Sequence, residues 1–129
     1  MQRVFIVLGA TFGFLGVLIG AFGAHWLKSR ASLDELAAFE TGARYHLIHA
    51  LALLALAANA TRLRPRFVAV AGGAFVLGIV LFSGSLYAIG ITGTKSFGIV
   101  TPFGGVAFLV GWAAIFLGAW RVGRESSRE

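Results

Sequence analysis

Four apolar stretches decide what this chain can become. They run approximately over residues 4–26, 43–60, 67–91 and 103–120. Each is long enough to cross a hydrocarbon layer of about 30 Å, which takes roughly 20 helical residues at about 1.5 Å of rise. Together they fill about two thirds of the 129 residues, so no soluble domain is left over. Only 12% of the residues are charged and 58% are hydrophobic, whereas a soluble protein carries about 25% charge. The expectation is an all-α integral membrane protein of one domain, residues 1–129, with four transmembrane helices in an antiparallel bundle.

The amino-terminal run follows Arg3 and ends near AFGA, as a signal peptide would. Its apolar part is about 20 residues, against roughly 7 to 15 in a signal sequence, so an uncleaved first helix is expected. Neither a lipidation box nor a prenylation motif is present. Without cysteine there is no disulfide framework and no thiolate metal site. The net charge of +6 does not point to nucleic acid, because the basic residues sit at helix ends rather than in a patch with interleaved aromatics.

Lys and Arg resist translocation, so their distribution orients the spans. One side collects Arg3, Arg62, Arg64, Arg66, Arg121, Arg124 and Arg128; the other has Lys28, Arg30, Lys95 and Arg44. Both termini are therefore expected in the cytoplasm, across a bacterial cytoplasmic (inner) membrane. Asp34, Glu35 and Glu40 then lie toward the outside. Pro65 forbids a continuous helix through the second connection and makes its flanking spans antiparallel neighbours. SLDE, residues 32–35, has the pattern of a capping box, starting a helix at Leu33. That helix either continues into the second span or lies as a short interfacial helix that bends near Gly42. GITGTKSFGIVTPFGG, residues 90–105, is expected to be an outer loop leading into a helix start.

Small residues let helices approach closely in lipid. Gly9, Gly13, Gly16, Gly20 and Gly23 form one stripe in the first span, and Gly104, Gly111 and Gly118, with Ala107 and Ala114, form another in the fourth. Ala71, Ala74, Gly78 and Ser85 make a weaker version in the third. The stripes either seal the bundle or form a homo-oligomeric seam.

ARYHLIHALALLALAANA, residues 43–60, places polar groups inside the second span. At about 100° per residue, Gly42, His46, His49, Leu53 and Ala57 share a face with Tyr45 on its flank. Arg44 can snorkel to the headgroups, but the histidines lie about 6 and 10 Å deeper than Gly42, where ionisable groups usually face a protein interior. His25, Ser83, Ser85, Tyr87 and Thr101 fall in the same outer leaflet. An outward-opening polar pocket walled by His25, Glu40, Tyr45, His46, His49, Ser83 and Tyr87 is expected. Plainer roles compete for each. His25 and Tyr87 fit an interfacial belt, the serines can bond the preceding turn, and His46 and His49 can simply hydrogen-bond between helices. HLIH spaces two imidazoles as metal ligands could be, but HExxH is absent and FSGS lacks the nucleophile-elbow pattern; no cofactor, metal or catalytic residue is assigned.

GAFGAHWLK, FETGARYHLIHALALLALA, LFSGSLYAIGITG and TPFGG followed by GW resemble the YgdD-type small membrane proteins, grouped as domain of unknown function 423 and including a eukaryotic transmembrane branch. The likeness covers nearly the whole chain. It implies a four-helix membrane protein of unestablished activity and supplies no catalytic residues. In the family pattern the place of His46 is often Gln, while the His of HALALL, here His49, is typical; this weighs against a two-His metal site and toward His49. Three functions stay open: a non-enzymatic module binding, transporting or sensing a small polar solute, lipid headgroup or ion; a structural subunit of a larger membrane complex; and a His-ligated metal or haem protein. The expected partners are membrane lipid and a further copy or complex, without nucleic acid.

Overall fold

The computed structural model describes residues 1–126, with side chains described through Trp120. Among these residues every regular element is helical: α1 (Gln2–His25), α2 (Leu33–Ala58), α3 (Pro65–Gly78), α4 (Gly84–Thr92) and α5 (Thr101–Ser126). A π-helical segment, Ile79–Ser83, joins α3 to α4, so that Pro65–Thr92 is one continuous rod. Short 3-10 turns, Leu27–Ser29, Ala60–Arg62 and Lys95–Ile99, lie in the three connections. Of the orienting cations, the Arg121 and Arg124 side chains and all of Arg128 lie outside the described residues.

Local chemistry sets the ends. The Ser32 hydroxyl accepts from the Glu35 amide at 3.3 Å, while the Glu35 carboxylate accepts from the Ser32 amide at 2.8 Å. This reciprocal pair satisfies two otherwise unpaired donors and starts α2. Pro65 occupies the first turn of α3, where its missing N–H costs nothing. Gly93 ends α4 at φ +70°, and its amide donates to Ile89 at 2.8 Å. An L side chain at Gly93 would be strained and would also meet the Glu35 carboxylate, so the α4 cap and the α2 cap lie against each other.

The Ser32 amide, then its hydroxyl, hold the Glu35 carboxyl below its ordinary 4.5, with Lys95 adding a smaller push the same way. A lowered folded-state value stabilises above the unfolded value and is lost as pH falls through the folded one. Glu35→Gln keeps a capping side chain but has no proton to gain. It is expected to narrow the difference in melting temperature between about pH 6 and pH 3, measured in detergent beside the wild type.

α2 is one unbroken helix of 26 residues, so residues 33–41 form no separate short helix. Gly42 does not bend it; the missing side chain lets the third rod approach, since a Cβ there would lie 3.1 Å from Leu86 and 3.2 Å from the Ser83 carbonyl. Gln2–Ser29, Pro65–Thr92 and Lys95–Trp120 are each long and apolar enough to cross a membrane. α2 is comparable in length, carries the polar residues and bears the largest share of buried side chains. A helix wrapped by protein can carry groups that a lipid-facing helix cannot.

Most of the packed glycines receive a phenylalanine. A Cβ on Gly104 would strike the Phe82 backbone, and Cβ atoms on Gly111 and Gly118 would meet Phe75 and Phe67, so α5 runs antiparallel to the third rod. In the reverse sense Phe108 lies over Gly78, and Phe5 over Gly72. α1 runs antiparallel to α2 with Gly9 against Leu54, Gly16 against Leu47 and Gly23 against Phe39. These glycines recur every seven residues, a spacing that keeps a straight helix on one face to within about 20°. Gly13 and Gly20 stand about 40° away and meet nothing within 4 Å. The expected five-glycine stripe is therefore a three-glycine contact with two open positions.

The apolar core gathers Phe5, Leu53, Leu56, Val68, Phe75 and Phe108, among others, toward the end that bears Arg3, Arg62 and Arg66. Beyond it toward the opposite end lie the buried polar groups His46, Ser83 and Ser85, with His49 at the boundary against Phe75 and Phe108.

Candidate binding groove and polar core

His49 is held by three rods at once. Its Nδ1 lies 2.8 Å from the Tyr45 carbonyl, an acceptor, so Nδ1 donates. Trp112 Nε1, which can only donate, lies 3.1 Å from His49 Nε2. The partners therefore specify a neutral ring with its proton on Nδ1. Phe108 stacks on that ring at 3.5 Å and 10°, and Phe75 closes a further side at 5.3 Å. With both nitrogens engaged, His49 offers no lone pair to a metal, and its bond to Trp112 is a strut from α2 to α5.

His46 faces elsewhere. Its Nδ1 pairs with the Tyr87 hydroxyl at 2.9 Å, and Phe12 of α1 meets its ring edge-on at 5.6 Å. The Phe12 carbonyl also approaches the ring but lies outside hydrogen-bond geometry, and His46 Nε2 and the fully buried Ser83 Oγ have no protein partner. Ser83 belongs to the π segment, a kind of local widening frequent at functional sites. Ser85, two residues on, bonds both the Phe82 carbonyl at 2.9 Å and Thr101 at 2.7 Å.

The seven expected wall residues thus divide. His46 and Tyr87 are bonded, and Gly42, one turn before His46, brings Ser83 and Tyr87 against α2. Tyr45 and His49 belong to a second surface shared with α5. His25 and Glu40 are exposed, and their side chains form no hydrogen bond among the described residues.

That second surface is a groove of 430 Å³ between α2, the third rod and α5, lined by Tyr45, His49, Phe82, Pro102, Val106 and Trp112, with others. A second groove of 420 Å³ continues beyond Trp112 along Ala52, Ala55, Ile115 and Ala119 to Asn59 and Arg62. Trp112 lines both, so the His49–Trp112 strut divides them. Sequence reasoning missed Trp112, although the signal was there: a tryptophan in mid-span, remote from either interface, needs an acceptor for its N–H.

Long apolar helices around a more polar central one, polar contacts turned inward and grooves opening sideways define a helical membrane protein. The chain belongs to the family described as protein of unknown function DUF423, whose model matches residues 19–105. It is 44% identical over 119 residues to the UPF0382 membrane protein YwdK of Bacillus subtilis, covering 92% of this chain and 97% of that one. It is 39% identical over 124 residues to the UPF0382 inner membrane protein YgdD of Escherichia coli K12, covering 96% and 95%. The UPF0382 membrane protein SSP2132 of Staphylococcus saprophyticus is 38% identical over 123 residues, covering 94% and 100%. No solved structure matches the chain.

Proposed function

We propose that the protein is a non-enzymatic, four-span module of the inner membrane, with both termini cytoplasmic, that binds a lipid or lipid-like amphiphile in the extracytoplasmic half of the α2–α5 groove. The observation that carries this reading is the groove around the His49–Trp112 strut, with walls largely aromatic. Tyr45 and Trp112 are 40% and 47% exposed there, so an entering molecule meets flat rings and one phenol hydroxyl. Such walls suit an acyl or isoprenoid chain with a small polar head. A free ion or hydrophilic solute would need donors and acceptors here, and His49, the histidine that lines this groove, already uses both its nitrogens on Tyr45 and Trp112.

Native mass spectrometry of the detergent-released protein tests this. One retained lipid per chain is expected, and Val106→Trp or Leu109→Trp, which fill the groove from exposed positions, should lower its occupancy by about tenfold with helicity unchanged. Filled variants that keep the lipid, or wild type released without any, would sink the assignment.

A second reading, assembly with another copy or a larger complex, is favoured by Gly13 and Gly20, which face open space on α1. Crosslinking in native membranes from a cysteine at Val17 is its test, and exclusively monomeric product rejects it.

A further inference from the structure

We infer that the cytoplasmic end of the α2–α5 groove is a seat for an anionic phospholipid, with Arg62 and Asn59 on the phosphate and the channel below them on one acyl chain. The inference rests on the four-span orientation proposed above and does not require the outer groove to be occupied.

Three observations converge on it. The groove is apolar along Ala52, Ala55, Ile115 and Ala119 and polar only at its end, where Asn59 and Arg62 line it. An amphiphile has that same order of chemistry along its length. Seven residues separate Ala52 from Asn59, about 10 Å of helix, which gives an acyl chain a continuous wall running inward from the headgroup level.

The mouth has unused donors. Asn59 gives one amide N–H to the Ala55 carbonyl at 2.9 Å, leaving its second N–H and its oxygen. Arg62 is exposed; its backbone amide donates to the Asn59 carbonyl at 3.0 Å, but its guanidinium makes no hydrogen bond or ring contact among the described residues. A guanidinium presents paired N–H groups that match two phosphate oxygens. Arg66 ends a neighbouring groove of 480 Å³, but its guanidinium lies over the Phe67 ring at 4.8 Å, so Arg62 is the better-presented cation.

The charge pattern selects the sign of the occupant. Arg3, Arg64 and Arg66 share this end of the rods with Arg62, whereas Asp34, Glu35 and Glu40 belong to the α2 end that packs against α4. No carboxylate with a described side chain stands near Arg62 to neutralise it. Cations placed at the cytoplasmic ends of spans attract anionic lipid generally; here one of them also terminates a channel shaped for a chain.

The test places the full-length protein in nanodiscs of phosphatidylcholine containing about one phosphatidylglycerol in ten, then counts retained lipids by native mass spectrometry. Wild type is expected to retain phosphatidylglycerol enriched about fivefold over its share of the bilayer. Arg62→Gln should return retention to that share. Arg3→Gln removes the same charge from the same face but not from the groove, and should keep the enrichment. Val106→Trp should also keep it, even where it expels the outer lipid. Enrichment that survives Arg62→Gln, or that Arg3→Gln or Val106→Trp abolishes equally, overturns the inference. In discs of phosphatidylcholine alone, inorganic phosphate should not raise the melting temperature; a rise matching that given by phosphatidylglycerol would assign the site to free phosphate and overturn the lipid assignment.

Discussion

Replacing Gly104 by alanine is expected to destabilise the fold by about 2 to 3 kcal/mol, the upper part of the range for forcing volume into a packed interior. The added methyl would collide with the backbone of Phe82, lying 2.7 Å from its Cα. A flexible side chain could swing aside, but a helix backbone moves only if the two rods separate. Separation would also loosen the Ser85–Thr101 hydrogen bond, since both residues flank the contact. Lipid supplies no compensating hydrophobic drive, because the exposed faces meet acyl chains as apolar as the residues they leave. Gly13→Ala is the matched control. It adds the same methyl to a helix at a position with nothing within 4 Å, and removing a mid-helix glycine is expected to be neutral or stabilising by up to about 1 kcal/mol. Unfolding in mixed micelles with rising dodecyl sulfate measures both, and equal losses for the two would refute the close approach of α5 to the third rod.

Trp112→Phe should cost about 1 to 2 kcal/mol in the same assay. It removes the donor to His49 Nε2 and leaves a buried acceptor without a partner. His49→Phe should cost a comparable amount by stranding the Trp112 N–H and the Tyr45 carbonyl contact. The informative variant is the double replacement. With both polar partners gone and a ring retained on each side, its cost should fall well below the sum of the single changes, because exchanging a whole hydrogen-bonded pair for apolar groups of similar shape is nearly neutral. Interhelical hydrogen bonds in membranes couple by about 0.6 kcal/mol on average and up to about 1.7, so a strut walled by Phe75 and Phe108 should sit near the upper end. Simple additivity would show that the two residues do not act as one unit.

The helical class was legible because hydrocarbon thickness and residue rise leave little freedom. The capping box of Ser32 and Glu35 was legible too, since it depends on local spacing alone. The burial of His46, His49, Ser83 and Ser85 followed from where these residues fall within apolar segments. The missing part was always pairing across rods. Gly9 and Gly13 look alike in a stripe, and only the position of α2 separates the one that packs from the one that does not. Likewise His46 and His49 share a face of α2 by angle, yet a difference of about 60° sends one to Tyr87 and the other to Trp112. Phenylalanine was the neglected partner: the chain has 12 of them, and the glycine spacing of α5 gains its meaning from Phe82, Phe75 and Phe67 set against it.

The Ile79–Ser83 widening sets a fixed count of residues between two dockings. Gly78 is committed to Phe108 on α5, and Tyr87 to His46 on α2. A π turn accommodates one residue more than an α turn would over the same path, so deleting a single position there would rotate everything beyond it by about 100° and carry Tyr87 off its histidine. The distance in sequence from Gly78 to Tyr87 is therefore a mechanical dimension of the molecule, as intolerant of shortening as a gear is of losing a tooth.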